Sequence, residues 1–299
     1  MMTSLAIREN VPLAPFTSWR VGGPARYFFE PDSVGALSEA LDWAHAKGHA
    51  VFVLGKGSNL LIADEGFDGL VIRLGGGMGA VSVEDDKVRA QAGCATSALV
   101  RAAAEHDRGG FEFLTTIPGT VGGVVFMNGG AHGACVADFL VEATVLAPDG
   151  TIRVLSNAQM GYSYRHSLLQ DEGGLVLEAV LRTEPKPKAE IQQAVSELAK
   201  WRRARQPQGL SAGSVFTNPP GTSAGRLIEE AGCKGLTVGR AQVSEVHANF
   251  IVNLGGAKAS DLLSLIAQVQ ERVHAKHALW LHPEVRGVGC TVGRSGERA

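Results

Sequence analysis

Val34, Leu37, Leu41 and Ala44 recur at intervals of three and four behind Pro31-Asp32-Ser33, a spacing that predicts an amphipathic helix with an N-cap. A short apolar run, Val51 to Leu54, then meets Gly55-Lys56-Gly57-Ser58-Asn59, and apolar residues resume at Leu60 to Ile62. This pattern predicts strand, loop, strand. Further strands are expected at Leu70 to Leu74, Val81 to Glu84 and Lys87 to Gln91, the last two joined at Asp85-Asp86, before a helix over 95–105. Val141 to Leu146, Ile152 to Leu155 and Leu175 to Leu181 also read as strands, with Pro148-Asp149-Gly150 as a hairpin turn. Glu184-Pro185-Lys186-Pro187-Lys188 suits a domain linker, because proline stiffens it and charge keeps it solvated. Beyond it the pattern predicts a helix over 189–204 with Ile191, Val195, Leu198 and Trp201 on one face, and another around 224–231. A strand over 250–253 and a helix over 260–274 complete the reading.

The alternation of helix and strand places the chain in the α+β class. The expected division is a segment 1–185 in two parts meeting near residue 75, a smaller α/β domain over 186–290, and a polar tail over 291–299. Composition narrows the partners. Among 299 residues the hydrophobic share is 45%, the charged share 19% and the net charge -2, so there is no basic excess to neutralise a nucleic-acid backbone. No stretch approaches the roughly 20 apolar residues of a spanning helix, and no basic leader precedes an apolar core. A protein that is neither exported nor membrane-bound is expected. The cysteines Cys94, Cys135, Cys233 and Cys290 form no CxxC pair, which fits a reducing cytoplasm and suggests neither zinc site nor disulfide framework. His247, His274, His277 and His282 lack metal-ligand spacing, so no metal is expected.

The content of 38 glycines points to backbone that approaches a large ligand closely. In the first glycine loop, two glycines two apart let amide groups turn toward an anion, Ser58 and Asn59 add donors, and Lys56 adds charge. A tight turn is the alternative. The strand expected after the loop excludes both the dinucleotide fingerprint that opens a helix and the Walker spacing. A second glycine-rich stretch, Ile117-Pro118-Gly119-Thr120-Val121-Gly122-Gly123, follows about sixty residues later, ahead of Phe126-Met127-Asn128-Gly129-Gly130-Ala131.

Seven ordered motifs carry a resemblance almost end to end. They are Asn10-Val11-Pro12-Leu13 with Thr17-Ser18-Trp19-Arg20-Val21-Gly22-Gly23, the loop Leu54 to Leu61, Ile117 to Gly123, and Gly161-Tyr162-Ser163-Tyr164-Arg165. Ala212-Gly213-Ser214-Val215-Phe216-Thr217-Asn218-Pro219, Ala248-Asn249-Phe250-Ile251-Val252-Asn253 and Pro283-Glu284-Val285 complete the set. In these the chain resembles the UDP-N-acetylenolpyruvoylglucosamine reductases, also called UDP-N-acetylmuramate dehydrogenases or MurB, and within them the shorter subgroup, since the interval from Arg165 to Ser214 has no room for an extra tyrosine-bearing segment. The resemblance implies a two-part FAD-binding domain of the vanillyl-alcohol oxidase/p-cresol methylhydroxylase type over 1–185, and a smaller C-terminal α/β substrate domain over 186–290.

It also implies FAD as bound cofactor, NADPH as co-substrate, and reduction of an enolpyruvyl ether on a nucleotide sugar in a cytoplasmic enzyme, with a monomer expected. By resemblance, Gly55, Lys56, Gly57, Ser58, Asn59, Leu60, Pro118, Gly119, Thr120, Gly122 and Gly123 are FAD contacts, both loops offering amide donors to the pyrophosphate. Arg165, Ser214 and Glu284 match the family's catalytic positions, and Tyr164, Arg205 and Asn218 are candidates for substrate binding. Local sequence alone leaves each a plainer role: a surface arginine at a strand end, a loop or cap serine, an exposed glutamate. The cluster Arg202-Arg203-Ala204-Arg205 could equally be a solvated helix end, since basic residues favour helix C-termini. Thr217 departs from the family, which commonly has lysine there. Two rivals remain: an FAD-dependent oxidase of an alcohol or sugar lactone on the same fold, and a flavin- or nucleotide-sugar-binding module without catalysis.

Overall fold

The computed structural model describes residues 5–294; most of the expected tail, from residue 295, lies outside the described residues. Two compact units emerge, neither of them a consecutive stretch. The first holds Phe29–Lys56 and Ile72–Arg202, with Leu5 and Ala6. The second gathers Ile7–Phe28, Gly57–Val71 and residues 203–294.

In the first unit, five strands form an antiparallel sheet in the order Ile152–Ser156, Leu140–Leu146, Leu175–Arg182, Lys87–Gln91, Val81–Glu84. The expected hairpins are present. Asp85 takes a left-handed φ of 44° between Val81–Glu84 and Lys87–Gln91, a conformation Asp tolerates better than most residues. The central strand Leu175–Arg182 buries Val176, Leu177, Ala179, Val180 and Leu181, the near-continuous apolar run of a strand covered on both faces. The helices Thr96–Ala104 and Val121–Phe126 pack on this sheet. The helix Val34–Ala46 begins where its cap predicts: Ser33 Oγ accepts from Ala36 N at 3.2 Å, and Leu37, Ala40 and Ala44 turn inward.

Two sequence expectations fail here. Glu184–Pro185 pairs antiparallel with Arg108–Gly109, Lys186 Nζ meets Glu112 Oε1 at 2.9 Å, and Lys188 Nζ meets Glu105 Oε2 at 2.5 Å. The proposed linker is therefore pinned. Its prolines are compatible with a two-residue edge pairing because an edge strand needs few amide donors. The following helix, Lys188–Arg205, buries only Ile191 of the four residues expected on its apolar face, and Trp201 is exposed.

The second unit starts with the antiparallel pair Arg8–Pro12 and Pro24–Phe29, in register from Arg8 opposite Phe28 to Pro12 opposite Pro24. Three strands, Thr237–Val238, Ala241–Val243 and Ile251–Asn253, make a second small sheet. Leu60–Ile62 pairs in parallel with Arg286–Val288, a strand the short apolar pattern did not disclose. The long helix Ala259–His277 buries Leu262, Leu265, Ile266, Val269 and Val273 in a core shared with Trp19, Val21, Leu61, Val215 and Phe216. Trp19 is fully buried, its Nε1 donating to Ile251 O at 2.8 Å, while Asn253 Nδ2 donates to Trp19 O at 2.8 Å. Buried polar groups of this kind fix register because leaving one unpaired costs more than the bond gains. Asp64 holds the start of the long helix, accepting from Ala259 N at 2.7 Å and Ser260 N at 3.0 Å.

Candidate active site

The first glycine loop follows the strand Ala50–Leu54 and passes from one unit to the other between Lys56 and Gly57. Within the first unit, a side chain at Gly55 would place its Cβ 2.7 Å from Thr120 Oγ1, so only glycine admits this approach. The two glycine loops thus touch. Thr120 is buried and caps the helix Val121–Phe126, its Oγ1 accepting from Gly123 N at 3.4 Å. Thr96 holds the second loop from beneath, with its N donating to Gly119 O at 3.2 Å and its Oγ1 to Ile117 O at 2.8 Å. Arg202 Nη1 reaches Thr116 O at 3.1 Å, which gives one member of the basic cluster a place beside this loop. Burial lowers the Arg202 pKa.

Not every amide here can face an anion. Val121 N donates to Cys94 O at 2.8 Å and Gly122 N to Ala92 O at 2.9 Å, and a Cβ at Gly122 would come 2.8 Å from Ala92 Cβ. The expectation of Gly122 as an amide donor is corrected: it lacks a side chain in order to pack on Ala92. Gly123 is exposed, and a Cβ there would meet only Thr120 Oγ1 at 3.6 Å. Lys56 is exposed, and its charge pulls against the burial that pushes the Cys94 thiol up. A diphosphate fits this junction: side-chain-free backbone on both loops, an open approach at Gly123, and a cation alongside.

Arg165 belongs to the same unit, at the tip of a two-residue turn. Ser163 and His166 exchange backbone bonds at 3.2 Å in both directions, with Tyr164 and Arg165 between them. Arg165 has a left-handed φ of 57°. Its Nη2 donates to Gly130 O at 2.8 Å, and its guanidinium lies 5.5 Å from the centre of the Tyr164 ring, which is largely exposed. The turn is moored to the end of Val121–Phe126: Tyr162 Oη donates to Val125 O at 3.0 Å and Ser167 Oγ to Phe126 O at 2.6 Å. Burial pushes the Tyr162 hydroxyl well above its usual range, keeping it a neutral donor. One short helix therefore carries the second glycine loop at its start and the Arg165 turn at its end.

Ser214 and Glu284 come together in the second unit. Ser214 pairs with Phe250, Phe216 pairs with Pro283, and the carbonyl of the intervening Val215 accepts from Glu284 N at 2.8 Å. Asn249 grips Phe216 at two points, accepting from its N at 3.0 Å and donating to its O at 2.8 Å. Asn59 joins the glycine loop to this arrangement: its Nδ2 donates to Glu284 O at 3.0 Å and its O accepts from Arg286 N at 3.1 Å. The side-chain donor expected to face an anion thus holds Glu284 in place. Gly57 has a φ of 59°, and a Cβ there would overlap Phe16 O. Thr217, where lysine was the family norm, ties through its N and Oγ1 to His282 O at 2.9 and 3.3 Å.

Asn218 Oδ1 accepts from Ala224 N at 3.0 Å and so shapes the turn before the helix Ala224–Glu230. Arg205 is exposed at the end of Lys188–Arg205. Two of the histidines pack against rings: His247 lies edge-on to Phe250, with ring centres 4.8 Å apart, and His274 stacks on Trp280 at 4.1 Å. Sequence reasoning did not assign Asn249 or Asn128. The available signal was a lone amide inside an apolar run, because such a group must be satisfied when buried.

Two family models match the chain. A model of the FAD binding domain matches residues 25–156, and a model of the UDP-N-acetylenolpyruvoylglucosamine reductase C-terminal domain matches residues 206–288. The UDP-N-acetylenolpyruvoylglucosamine reductase of Parasynechococcus marenigrum is 47% identical over 296 residues, which span 97% of this chain and 99% of the relative. That of Bacillus subtilis is 43% identical over 285 residues, 95% of this chain and 94% of the relative. The crystal structure of UDP-N-acetylenolpyruvylglucosamine reductase (MurB) from Thermus caldophilus superposes with a TM-score of 0.82 at 40% identity, covering 94% of this chain and 99% of that one. With this identity along nearly its whole length, the chain belongs to the UDP-N-acetylenolpyruvoylglucosamine reductase family.

Proposed function

We propose that the protein is an FAD-dependent, NADPH-using reductase that converts UDP-N-acetylenolpyruvoylglucosamine to UDP-N-acetylmuramate in peptidoglycan precursor synthesis. The observation that carries this reading is that the residue after Ser214, Val215, accepts through its carbonyl from Glu284 N, while Asn59 of the glycine loop donates to Glu284 O. The residues proposed to hold FAD are Gly55, Lys56, Gly57, Ser58, Asn59, Leu60, Pro118, Gly119, Thr120 and Gly123, with Gly122 supporting them through packing. When bound, FAD supplies the relay of a hydride from NADPH to the terminal vinyl carbon of the enolpyruvyl ether. The segments 1–185 and 186–290 are assigned to FAD and substrate binding respectively.

Addition of hydride leaves an electron pair on the neighbouring carbon, conjugated with the substrate carboxylate, so negative charge grows there. Arg165 has the forked donor geometry for that carboxylate. The Ser214 hydroxyl delivers a proton to the carbanionic carbon and recovers one from solvent. A hydroxyl is a weak acid, but an enolate beside a carboxylate is a stronger base than the alkoxide left behind. Glu284 is assigned to polarising or orienting the substrate carboxylate, a role suited to a protonated or hydrogen-bonded carboxyl because two like charges in contact repel. Arg205 and Asn218 are assigned to the UDP moiety and Tyr164 to orientation of the substrate.

Among the described residues, no helix is long and apolar enough to cross a membrane. We assign the enzyme to the cytoplasm as a monomer acting on a nucleotide sugar. The test is an anaerobic titration in which NADPH bleaches the flavin and the enolpyruvyl sugar restores its colour. Reoxidation by oxygen alone, with none by the sugar, would overturn the reading in favour of an oxidase. In Ser214→Ala the first half-reaction is expected to persist while the second falls about 10²- to 10⁴-fold, the range for loss of a general acid.

A further inference from the structure

The bonds around the Arg165 turn carry an inference beyond the roles assigned above. Arg165 is a non-glycine residue with a φ of 57°, a conformation that L residues avoid and that persists only where the surroundings hold it. Its guanidinium contact with Gly130 O fixes one end of the side chain, but the backbone needs its own support. Two amide side chains supply it. Asn128 Nδ2 donates to Ser163 O at 2.9 Å, on one side of the turn. Gln170 Nε2 donates to Arg165 O at 3.0 Å and to Phe126 O at 3.3 Å, joining the other side of the turn to the end of the helix Val121–Phe126.

Asn128 is itself well suited to this work. It follows the same helix by two residues, takes a left-handed φ of 44°, is 6% exposed, and uses its Oδ1 to accept from Ala137 N at 3.0 Å. Both ends of its amide are therefore committed, one to the segment before Phe139 and one to the turn. We propose that Asn128 and Gln170 are positioning residues that hold the Arg165 backbone in its left-handed conformation, and so aim the guanidinium at the substrate carboxylate. This rests on the reading of Arg165 as the carboxylate-holding group. The required substitution pattern follows from the geometry: each site needs an N–H donor, and position 128 also needs an acceptor and tolerance of positive φ.

Gln170→Met keeps length and shape but removes both donated bonds. Asn128→Asp keeps the acceptor for Ala137 N and the left-handed preference while removing the donor to Ser163 O. Both are expected to lower turnover of the enolpyruvyl sugar about tenfold to a hundredfold, the scale on which small misplacements act, and to weaken calorimetric binding of UDP-N-acetylmuramate about tenfold. Flavin reduction by NADPH is expected to stay within about twofold of wild type. A cycle with Arg165→Lys separates positioning from general scaffolding: in that background Gln170→Met is expected to cost little further, because the fork it aims is already gone.

Unchanged turnover and product affinity in Gln170→Met, or a full additional loss in the Arg165→Lys background, would overturn the proposal. If Asn128→Asp fails to fold because it buries a charge, Gln170→Met, whose site is less buried, decides alone. Wild-type protein that does not reduce the enolpyruvyl sugar would overturn the functional reading itself. An active wild type with an indifferent Gln170→Met would overturn only the positioning role.

Discussion

Gly55 shows at the scale of one residue what a motif discloses and what it leaves out. Glycine there was legible as part of an anion cradle, whereas the structure adds that its missing side chain is what lets the loop meet Thr120 Oγ1. Gly55→Ala is therefore expected to displace the Thr120 hydroxyl, loosen the helix cap by about 1 kcal/mol and reduce the fraction of purified protein that retains flavin, read from its absorbance ratio. Adding Thr120→Gly removes the overlapping hydroxyl at small cost to the cap, so the double variant should regain flavin over the single one. No regain would show that the loop contact is unimportant. Gly122 looked the same in sequence but spends its amide on Ala92 O and its bare Cα on Ala92 Cβ. A glycine needed for packing and one needed for a ligand leave the same letter. Asn59 is similar: short and polar, it was legible as a donor, but its acceptor, Glu284 O, lies 225 residues away in the chain.

Elements with local signals were legible in proportion to the strength of those signals. Ser33 marks the start of Val34–Ala46, and Asp85-Asp86 marks a hairpin, because caps and tight turns are decided within a few residues. The strands Arg8–Pro12 and Arg286–Val288 were not, since each exists by pairing with a remote partner rather than by an apolar period of its own. The long helix Ala259–His277 combines both cases: its apolar face is periodic, but the carboxylate at its start comes from Asp64. Burial raises the Asp64 pKa, yet bonds from the Ser260 and Ala259 amides and the Ser260 hydroxyl outweigh it and hold the carboxyl below its ordinary value. A folded-state pKa below the unfolded value gives stability that is present above about pH 4, the unfolded carboxylate range, and is lost as pH falls through the folded value. Asp64→Ala should therefore destabilise the protein by about 1 kcal/mol at neutral pH, and the gap from wild type should narrow on acidification. Chemical denaturation at pH 7 and pH 3 reads both. A gap that is constant with pH would show that the carboxylate charge contributes nothing.

At the scale of the molecule, the family and its cofactor class were legible because seven motifs appear in order along the chain, and order survives in sequence whatever the path in space. The path itself was not. The charged segment at Glu184–Lys188 has the composition of a linker, but ion pairs from Lys186 and Lys188 pin it to the first unit. The second unit, in turn, is closed by residues far upstream. Its core contains fully buried Trp19 and Leu61 beside Phe216, Leu262 and Ile266, and burying one large apolar side chain contributes about 1.5–3 kcal/mol. Leu60–Ile62 supplies the partner of Arg286–Val288, Trp19 exchanges bonds with the strand Ile251–Asn253, and Asp64 caps the long helix. A chain reduced to residues 186–294 would lose all of these at once. Losing two large core residues, a strand partner and a cap removes a large share of the roughly 5–15 kcal/mol that stabilises a typical domain. The fragment is expected to show no cooperative thermal transition and to expose apolar surface that binds a hydrophobic dye. Adding a second chain spanning residues 5–75, which contains Trp19, Leu61 and Asp64, is expected to restore ordered structure, detectable as dispersed amide resonances. Cooperative melting of the fragment alone would mean that the downstream residues make a self-sufficient core, and that Trp19 and Leu61 only cover it.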